Sequence, residues 1–492
     1  MKFWWRPFAL VLSGTVLLTF TQCCIVSATA AVLFILTGCG GSATPSAPAT
    51  PVIHNEWTWM GGSNAIDQPG TYGTQGTASA HNTPGARVWG CSWTDQAGNF
   101  WLFGGFGATP NNGQGDFNDL WEYTNGEWTW TGGSNQAEQP GAYGTMGTAA
   151  PSNVPGARWE ATCWTDPQGN FWLYGGLGID SQGTRGPLGD LWRYSNGEWT
   201  WMSGSNIAWS TAWSGAAVFG TEGVASPSNT PGARQWASGW ADPSGNLWLF
   251  GGLGFVPNGG GNLNDLWKYS NGEWTWMAGS DQVDQYGTYA TLGMPAPGNT
   301  PGTRAGAATW VDAKGNLWLF GGAGVGKSGD NCGGSVDCVL NNLWEFSPSL
   351  NEWAWVGGPN VSNQPGVFGT QGVAAPGNLP PPREFAITWA DSESNIWLFA
   401  GDNLALAAYN DLWRYSNGEW TWVGGSTQAC QTGIYGTLGT PSATNVPGAR
   451  TGSVGWADKS GNLWLLGGDV GLCPNSGYLS TAKLNDLWEY QP

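Results

Sequence analysis

The sequence has few histidines and no recognisable motif of the kind that carries out acid–base or metal chemistry. Histidine is found only at His54 and His81, and neither lies in a motif of the kind that surrounds a catalytic triad or a zinc site. No pair of carboxylates stands apart from a background of carboxylates that repeats along the chain, as a glycoside-cleaving pair would have to do. The sequence therefore predicts no catalytic residue, no metal site and no cofactor.

Four cysteines in long connecting segments predict disulfide bonds rather than a metal site. Cys332 and Cys338 bracket the short segment GGSVD, and Cys430 and Cys473 lie in two segments that belong to the last of six repeats. In an exported protein, each pair can cross-link a long loop. We therefore expect the disulfides Cys332–Cys338 and Cys430–Cys473.

Cys91 and Cys163 occupy equivalent strands of neighbouring repeats but different positions within them. Cys91 follows Arg87 by four residues, whereas Cys163 follows Arg158 by five. Since side chains alternate between the two faces of a strand, the two thiols are expected on opposite sheet faces. The sequence predicts that both are buried free thiols.

Trp209 and Trp213 are the clearest candidates for ligand binding, because they interrupt a segment that otherwise repeats. They lie in IAWSTAWSGAAVFGTEG, residues 207–223, where other repeats carry a QPGxYGTxG theme. Exposed aromatic rings in a loop stack on sugars or anchor protein partners. The alternative, in which both rings cover the loop's own small core, is equally open.

One arginine and one later Asp or Asn recur in each repeat. The arginines are Arg87, Arg158, Arg234, Arg304, Arg383 and Arg450, and the second residues are Asp119, Asp190, Asp265, Asn342, Asp411 and Asp486. An anion-binding site would use some of these residues and not others. Because all six pairs repeat, structural ties within each repeat are favoured.

Two further polar sets also repeat and are expected to be structural. The first comprises the aspartates of DxxGN-type turns, which favour turn capping over a ligand site. These are Asp95, Asp166, Asp242, Asp312, Asp391 and Asp458. The second comprises the tyrosines of the YGT theme, Tyr72, Tyr143, Tyr289 and Tyr435.

The elements that would position these residues are short aromatic strands separated by Gly- and Pro-rich turns. In each repeat, a tryptophan follows the arginine by six residues, and then come FWLFGG, a variable loop, DLWEY, an NG-type turn and EWTW, or close variants of these. We name the four segments strands a, b, c and d. The variable connections lie between b and c and between d and a, and both are expected on one face of the molecule.

Both faces of strand b are apolar, so the predicted sheet must be covered on both sides. Four-stranded sheets that are buried on both faces and repeated six times are typical of a six-bladed β-propeller. Five tryptophans in each of six repeats account for 30 of the 37 in the chain, and we expect them to pack between blades. The fold class predicted is therefore all-β.

The repeat is cut between the two ends of the chain. A strand d at residues 56–60 precedes the first strand a, and the last repeat has only a, b and c, ending at Tyr490. If the N-terminal strand pairs with the C-terminal strand c, the last blade is completed by both ends and the ring is closed. No linear array needs such a division.

The repeats resemble the kelch repeat. Strand b ends in a double glycine, as in Gly104-Gly105 and Gly467-Gly468, strand c ends in an aromatic residue, and strand d carries a tryptophan. The resemblance covers residues 56–490. The fifth repeat departs from it with Ala400-Gly401, and the repeats are longer than the usual kelch period of about 50 residues. The family implies a propeller fold, not an activity.

The first 39 residues differ from the rest of the chain. MKFWWR is followed by an uncharged apolar stretch, and Leu36-Thr37-Gly38-Cys39 resembles the lipobox of bacterial lipoproteins, which implies lipidation of Cys39. The alternative is an uncut transmembrane anchor. We expect a signal peptide at 1–39, a linker at 40–54 and a propeller at 55–492, tethered outside the cytoplasm at the outer membrane or cell surface.

The net charge of the chain limits the classes of partner that it can bind. The formal net charge of −18 argues against nucleic acid, because nucleic-acid binding depends on basic side chains. The sequence therefore predicts a monomeric, non-catalytic scaffold that recognises a glycan or an envelope protein through its b–c and d–a loops. The alternatives are a carbohydrate-active enzyme with its site at the mouth of the central channel, and a purely structural envelope protein. The enzyme would require a cluster of polar residues that does not repeat, and the sequence shows none.

Overall fold

A computed structural model describes the chain from residue 55 onward, apart from short gaps. The described residues are 55–111, 113–209, 215–330, 338–403, 407–471 and 482–492, and all belong to one compact unit, Ile53–Pro492. Cys39, Trp213, Cys332 and Cys473 lie outside them. Within these ranges no residue is helical, and accordingly none forms a helix of the length and apolarity that crossing a membrane requires.

The strands are short, and we number them in chain order. The first half contains β1 (Glu56–Gly61), β2 (Arg87–Val88), β3 (Cys91–Thr94), β4 (Phe100–Ala108), β5 (Gln114–Thr124), β6 (Glu127–Gly132), β7 (Arg158–Trp159), β8 (Thr162–Thr165), β9 (Phe171–Tyr174), β10 (Leu177–Ile179), β11 (Arg185–Pro187), β12 (Leu191–Ser195), β13 (Glu198–Ser203), β14 (Arg234–Gln235), β15 (Ser238–Ala241) and β16 (Leu247–Val256). The second half contains β17 (Gly259–Ser270), β18 (Glu273–Ala278), β19 (Pro295–Ala296), β20 (Arg304–Ala305), β21 (Ala308–Val311), β22 (Leu317–Phe320), β23 (Ala323–Gly324), β24 (Leu343–Ser347), β25 (Glu352–Gly357), β26 (Ile387–Ala390), β27 (Ile396–Phe399), β28 (Leu412–Ser416), β29 (Glu419–Gly424), β30 (Val454–Ala457), β31 (Leu463–Asp469) and β32 (Lys483–Gln491).

Six antiparallel sheets share one strand order, and each holds the strands a, b, c and d of one repeat. In chain order the repeats are β3-β4-β5-β6, β8-β9-β12-β13, β15-β16-β17-β18, β21-β22-β24-β25, β26-β27-β28-β29 and β30-β31-β32-β1. We call them repeats one to six. The all-β prediction is confirmed.

The double glycine that ends strand b forms a bend with little room for a side chain, and only in repeat five is its first glycine replaced, by Ala400 with a φ of 64°. In repeat one the pairing of β4 with β5 shifts register between Phe103 and Gly105. Gly104 has a φ of 64°, and a Cβ added there would lie 2.7 Å from the carbonyl oxygen of Arg158 in repeat two. The bend therefore carries β4 beyond the sheet, where it pairs with the short strand β2.

Repeat six is completed by both ends of the folded chain. β1 pairs antiparallel with β32, with Trp57 opposite Tyr490 and Trp59 opposite Trp488. The Trp57 side chain is buried in a cluster with Trp488 and Tyr490. The N-terminal strand thus covers the edge that β32 would otherwise expose.

The hydrophobic core consists of six clusters, each shared by two consecutive repeats. The sixth cluster joins repeat six to repeat one, where Phe100 stacks on Trp456 with ring centroids 5.3 Å apart. The indole N–H of Trp456 also donates to the carbonyl of Trp101 in repeat one at 3.1 Å. Every repeat therefore packs against two neighbours, and most of the repeated tryptophans lie between sheets.

The sequence predicted that the connections from d to a lie on the loop face. In the structure they also extend along the sheet edge. In repeat one, Gly76 N–H donates to the carbonyl of Trp130 at 2.8 Å, and the side-chain amide of Asn82 donates to the carbonyl of Trp128 at 3.0 Å. The middle of the connection thus runs along strand d. The reason is that strand d is the sheet edge, whose free backbone groups need partners.

The prediction of free thiols at Cys91 and Cys163 is wrong, because the two residues form a disulfide bond. Cys91 shares a strand face with Trp93, which donates to a carbonyl of repeat two. Cys163 lies on the opposite face from Trp164, which donates to a carbonyl of repeat three. Cys91 therefore points from repeat one toward repeat two, and Cys163 points from repeat two back toward repeat one. The different positions of the two cysteines in their strands thus bring the two sulfurs together.

The other two disulfides remain predictions. Cys338 and Cys430 are disulfide-bonded. Their predicted partners, Cys332 and Cys473, lie outside the described residues. A disulfide bond is consistent with a location outside the cytoplasm.

Candidate functional site

The repeated arginines are structural, as predicted. In repeat two the guanidinium of Arg158 donates to both carboxylate oxygens of Asp190, at 2.7 and 2.8 Å. The same guanidinium donates to the carbonyls of Gly156 and Gly175. Arg158 and Asp190 are fully buried, so neither is available to a ligand.

In repeats one, two and six, a tyrosine and a tryptophan complete the tie. The hydroxyl of Tyr143 donates to Asp190 at 2.6 Å, and the indole N–H of Trp192 donates to the same carboxylate at 2.7 Å. Tyr72 and Tyr435 make the equivalent bonds in repeats one and six. The structural interpretation of these tyrosines is confirmed.

Repeat four has a weaker tie, because an amide replaces the carboxylate. Arg304 donates to the Oδ1 atom of Asn342 at 2.8 Å, and Asn342 donates to the hydroxyl of Tyr289. One guanidinium nitrogen of Arg304 and the indole nitrogen of Trp344 are buried without a hydrogen-bond partner among the described residues. Burial lowers the pKa of Arg304.

The DxxGN-type turns are capped by their own aspartates, as predicted. In repeat two, Asp166 accepts from the backbone N–H of Asn170 at 2.9 Å and from its side-chain amide at 2.8 Å. The same carboxylate accepts from the indole N–H of Trp172 at 2.8 Å. These bonds hold the turn and fix the first tryptophan of strand b.

Trp209 does not extend freely from its loop. Its ring stacks on Phe255 with centroids 3.7 Å apart and an interplanar angle of 11°. Its backbone N–H donates to the carbonyl of Pro187 at 2.8 Å. A role of Trp209 and Trp213 in binding remains a prediction, since Trp213 lies outside the described residues.

A different set of residues meets where all six repeats converge. It occupies the position two residues after each repeated arginine, the Arg+2 position, and consists of Trp89, Glu160, Trp236, Gly306, Phe385 and Gly452. Backbone hydrogen bonds join them in series. The donors are the N–H groups of Trp89, Glu160, Trp236, Gly306 and Phe385, each to the carbonyl of the Arg+2 residue in the preceding repeat. In that series Trp89 donates to Gly452 at 2.8 Å, so repeat one is bonded directly to repeat six.

Four of the six Arg+2 residues are large and adopt a strained backbone conformation. Their φ angles are 54° at Trp89, 61° at Glu160, 58° at Trp236 and 54° at Phe385. The left-handed conformation costs a non-glycine residue roughly 1–2 kcal/mol, and repeats four and six avoid that cost by using glycine. Strain of this kind concentrates at functional positions. The four side chains therefore point to a role that glycine cannot fill.

Aromatic rings from four repeats come together at this position. The ring of Trp89 lies 5.7 Å from that of Phe385, which in turn lies 5.5 Å from Trp236. Trp159, one residue before Glu160, lies 5.1 Å from Trp89. All four residues are partly exposed, although their rings touch one another.

Carboxyl groups lie beside these rings. We define the inner cluster by its nine residues, which are Trp89, Trp159, Glu160, Trp236, Glu384, Phe385, Asp402, Thr451 and Asp469. Glu384 and Asp402 face each other across a backbone bridge, as do Thr451 and Asp469. The four acids come from repeats two, five and six. Asp402 and Asp469 occupy the same position in repeats five and six, whereas Glu160 and Glu384 have no acidic equivalent in another repeat.

Burial keeps the carboxyl of Glu160 protonated at neutral pH. Its side chain is only 4% exposed, and burial, with a smaller contribution from the charge of Asp116, raises its pKa to about 9. Arg185 acts in the opposite direction. Glu160 also interacts electrostatically with Glu384. The carboxyl of Glu160 therefore lies near charged groups of repeats one, two and five, namely Asp116, Arg185 and Glu384.

The remaining acids form a coupled set. Burial raises the pKa of Glu384 well above its ordinary value, and the charge and hydrogen bond of Asp402 raise it further. Burial also raises the pKa of Asp469 to about 6, with Asp402 and Asp67 contributing in the same direction. At neutral pH the cluster therefore contains the carboxylic acid of Glu160 and the carboxylate of Asp469.

Two cations border the inner cluster, and each already has an acidic partner. Arg185 lies 2.8 Å from Asp116, and Lys483 lies 3.9 Å from Asp469. Both also lie over the ring of Phe106, at 5.9 and 4.9 Å from its centroid. The cations therefore sit on one side, next to repeat one.

Several polar atoms of the inner cluster lack a hydrogen-bond partner among the described residues. They are both carboxyl oxygens of Glu160, the indole nitrogens of Trp89, Trp159 and Trp236, and the hydroxyl of Thr451. The Trp236 indole approaches the Glu160 carboxyl closely enough to favour its ionised form slightly. Buried polar atoms without a protein partner need water or a ligand.

Sequence reasoning missed the inner cluster. The enzyme alternative required polar residues that do not repeat, and the structure supplies them. The signal was present at the Arg+2 position, where the six repeats carry two tryptophans, a glutamate, a phenylalanine and two glycines. No three His, Cys, Asp or Glu side chains in the described ranges come together in a manner that could hold a metal ion.

The sequence and the fold were compared with those of known proteins. No family model matches the sequence, and no curated protein matches it either. One similar solved structure, described as "Structure of YjhT", shares 12% sequence identity with this chain. The alignment covers 82% of this chain and 95% of that one, with a TM-score of 0.47.

Proposed function

We propose that the protein is an exported six-bladed β-propeller of the kelch type that binds a carbohydrate at the centre of its ring. It would act as a recognition scaffold without catalysis. The inner cluster would be the binding site. The single observation that carries the proposal is the convergence of strained, partly exposed aromatic residues and unpartnered polar atoms at one position.

Closure of the ring is supported by three independent contacts between repeats six and one. These are the pairing of β1 with β32, the stacking of Phe100 on Trp456 and the backbone hydrogen bond from Trp89 to Gly452. Each would be absent from an open array. A closed ring leaves no unpaired edge between its first and last blades.

A carbohydrate fits the chemistry of the inner cluster. The faces of sugar rings stack on aromatic side chains, and Trp89, Trp236 and Phe385 present such faces. Sugar hydroxyls donate and accept hydrogen bonds, which is what the Glu160 carboxyl, the indole N–H groups and the Thr451 hydroxyl lack. A purely apolar ligand would leave these atoms unsatisfied.

Attachment to a membrane follows from the leader and stays part of the proposal. Cys39 would carry the lipid, and the linker 40–54 would separate the ring from the membrane. Mass spectrometry of the intact protein checks this directly. An unmodified Cys39 would remove the lipid anchor from the account.

A second candidate function, a carbohydrate-active enzyme, is favoured by the protonation of the inner cluster. An acid with a raised pKa near a carboxylate is the arrangement that general acid catalysis requires. Glu160 would serve as the acid, and the Glu384–Asp402 pair would supply the carboxylate. Cleavage of a bound oligosaccharide, lost in Glu160→Gln, would establish the enzyme over the scaffold.

The proposed function is tested with a glycan array. The body of the protein, residues 40–492, is screened beside a double variant, Trp89→Gly and Trp236→Gly, which carries the residue that repeats four and six already use. Binding that the double variant loses, at unchanged Tm, supports the site. Binding that it retains places the ligand elsewhere, and an array without signal contradicts carbohydrate recognition.

A further inference from the structure

We propose that the inner cluster is specific for an amino sugar, whose protonated amine is held between the Glu160 carboxyl and the faces of Trp89, Trp236 and Phe385. This inference rests on the proposed carbohydrate binding. It adds the charge of the ligand and the residue that recognises it.

An excess of acidic groups favours a cationic ligand. Glu160, Glu384, Asp402 and Asp469 belong to the inner cluster, and Asp116 lies beside it. The bordering cations, Arg185 and Lys483, are paired with Asp116 and Asp469. Glu160, whose two oxygens have no hydrogen-bond partner among the described residues, is left for the ligand. An anionic sugar would be repelled by those of these acids that are ionised at neutral pH, such as Asp469.

The aromatic rings favour a cation as well. The face of an indole or phenyl ring attracts a cation through its quadrupole. In the described part of the chain, Arg185 and Lys483 lie over Phe106, whereas no arginine or lysine lies over Trp89, Trp236 or Phe385. These partly exposed residues thus have no cation of the described part of the chain over their rings, and a cation of the ligand would supply one.

The protonation of Glu160 couples binding of an amine to release of a proton. Burial raises the pKa of Glu160 to about 9, so its carboxyl is neutral at pH 7 in the empty site. A cation beside a carboxyl favours its ionised form. Binding of an ammonium group therefore releases the proton of Glu160 to solvent, and charge is conserved because the ligand brings the positive charge that the proton carries away.

The test uses two oligosaccharides of equal length, one of glucosamine and one of N-acetylglucosamine, which differ at the nitrogen, where acetylation removes the charge. Isothermal titration calorimetry with residues 40–492 at pH 7 is expected to give an affinity about tenfold higher for the glucosamine oligomer. Titrations in two buffers of different ionisation enthalpy are expected to show release of about one proton for each amine bound.

The matched variants are Glu160→Gln and Glu122→Gln. Glutamine resembles the neutral carboxyl of Glu160, so folding is expected to be preserved, which the Tm checks. Glu160→Gln is expected to bind both oligomers within about twofold of each other and to release no proton. Glu122, whose side chain accepts from Asn99 of the DxxGN-type turn, lies outside the inner cluster, and its variant is expected to keep the preference.

The outcomes separate this inference from the proposed function. Equal affinity of the wild type for both oligomers, absence of proton release, or a preference that persists in Glu160→Gln each overturns the amino-sugar assignment. If the acetylated oligomer still binds in these cases, carbohydrate recognition stands. If neither oligomer binds and the array gives no signal, both proposals fail.

Discussion

The arginine of each repeated tie and the Arg+2 position lie only two residues apart along each repeat, yet they follow opposite rules. In repeat two, Arg158 and Asp190 satisfy each other completely and are nearly identical to their equivalents in four other repeats. Two residues later, Glu160 is buried with both carboxyl oxygens unpartnered in the described structure. The first arrangement stabilises a repeat, whereas the second costs stability.

This contrast shows where function is to be sought in a protein built from copies. A residue that recurs in every copy is explained by the needs of one repeat. A residue that differs between copies, and that is strained or unsatisfied, needs an explanation outside the repeat. In this molecule the arginine of the tie recurs in all six repeats, whereas the Arg+2 residue varies among tryptophan, glutamate, phenylalanine and glycine.

The largest effect is expected from opening the series of repeats. Deleting residues 40–61 removes β1 and uncovers β32, so the buried contacts of Trp57 with Trp488 and Tyr490 are lost. We expect the free energy of unfolding to fall by more than about 5 kcal/mol, since burying one tryptophan alone contributes about 3–5. The matched control deletes only 40–54, and an equal stability of the two deletions would contradict closure through β1.

The next largest effect is expected from breaking one tie. Asp190→Ala leaves the Arg158 guanidinium buried without a counter-charge, together with Tyr143 and Trp192. We expect a loss of about 3–5 kcal/mol in urea unfolding. Asn342→Ala, in the tie that lacks a carboxylate, is expected to cost less, about 1–2 kcal/mol. Equal losses would mean that the ion pair adds nothing to the hydrogen bonds.

The inner cluster predicts a pH dependence of stability with a definite sign. The pKa of Glu160 is raised from 4.5 to about 9 in the folded protein, so the folded state binds a proton that the unfolded state has lost. Its contribution is complete below about pH 4.5 and declines by about 1.4 kcal/mol for each pH unit up to about pH 9. Glu384 acts in the same direction.

Glu160→Gln is therefore expected to flatten the decline in stability between pH 6 and pH 9. Urea unfolding at several pH values measures this slope. Glu122→Gln serves as the control, because burial also raises the pKa of Glu122, which lies outside the inner cluster. A slope that is unchanged in Glu160→Gln would show that its carboxyl is already ionised in the folded protein.

The smallest effect is a gain in stability in repeat four. Asn342→Asp restores the carboxylate that five repeats have and supplies an acceptor for the unpartnered nitrogens of Arg304 and Trp344. We expect a stabilisation of about 1–2 kcal/mol in urea unfolding. A loss of stability would indicate that Arg304 is balanced by a group other than residue 342.

Much of the architecture could be predicted from sequence because the same sequence pattern occurs in six repeats. The strands, the arginine tie within each repeat and the capped turns all follow from local patterns that agree between repeats. The pairing of β1 with β32 followed from counting strands. Such features depend on contacts within one repeat or between adjacent ones, and repetition averages out the error in each.

The inner cluster and the Cys91–Cys163 disulfide could not be predicted in the same way. Both depend on how one sheet faces the next, which a single repeat does not reveal. The residues at the Arg+2 position share neither size nor polarity, so no sequence pattern marks them. Only the positive φ angles and the convergence of side chains from several repeats make them a site.

The most direct test of a site at the centre of the ring compares the inner cluster with the loop that the sequence favoured. The affinity of the wild type for its best array ligand is measured by calorimetry beside Trp236→Gly and Trp209→Ala. We predict that Trp236→Gly loses at least about tenfold in affinity, since one aromatic contact contributes about 0.5–1.5 kcal/mol beyond the area it buries. Trp209→Ala, which removes a ring stacked on Phe255, is expected to bind as the wild type does. The reverse result, with binding lost in Trp209→Ala and kept in Trp236→Gly, would contradict a site at the centre of the ring.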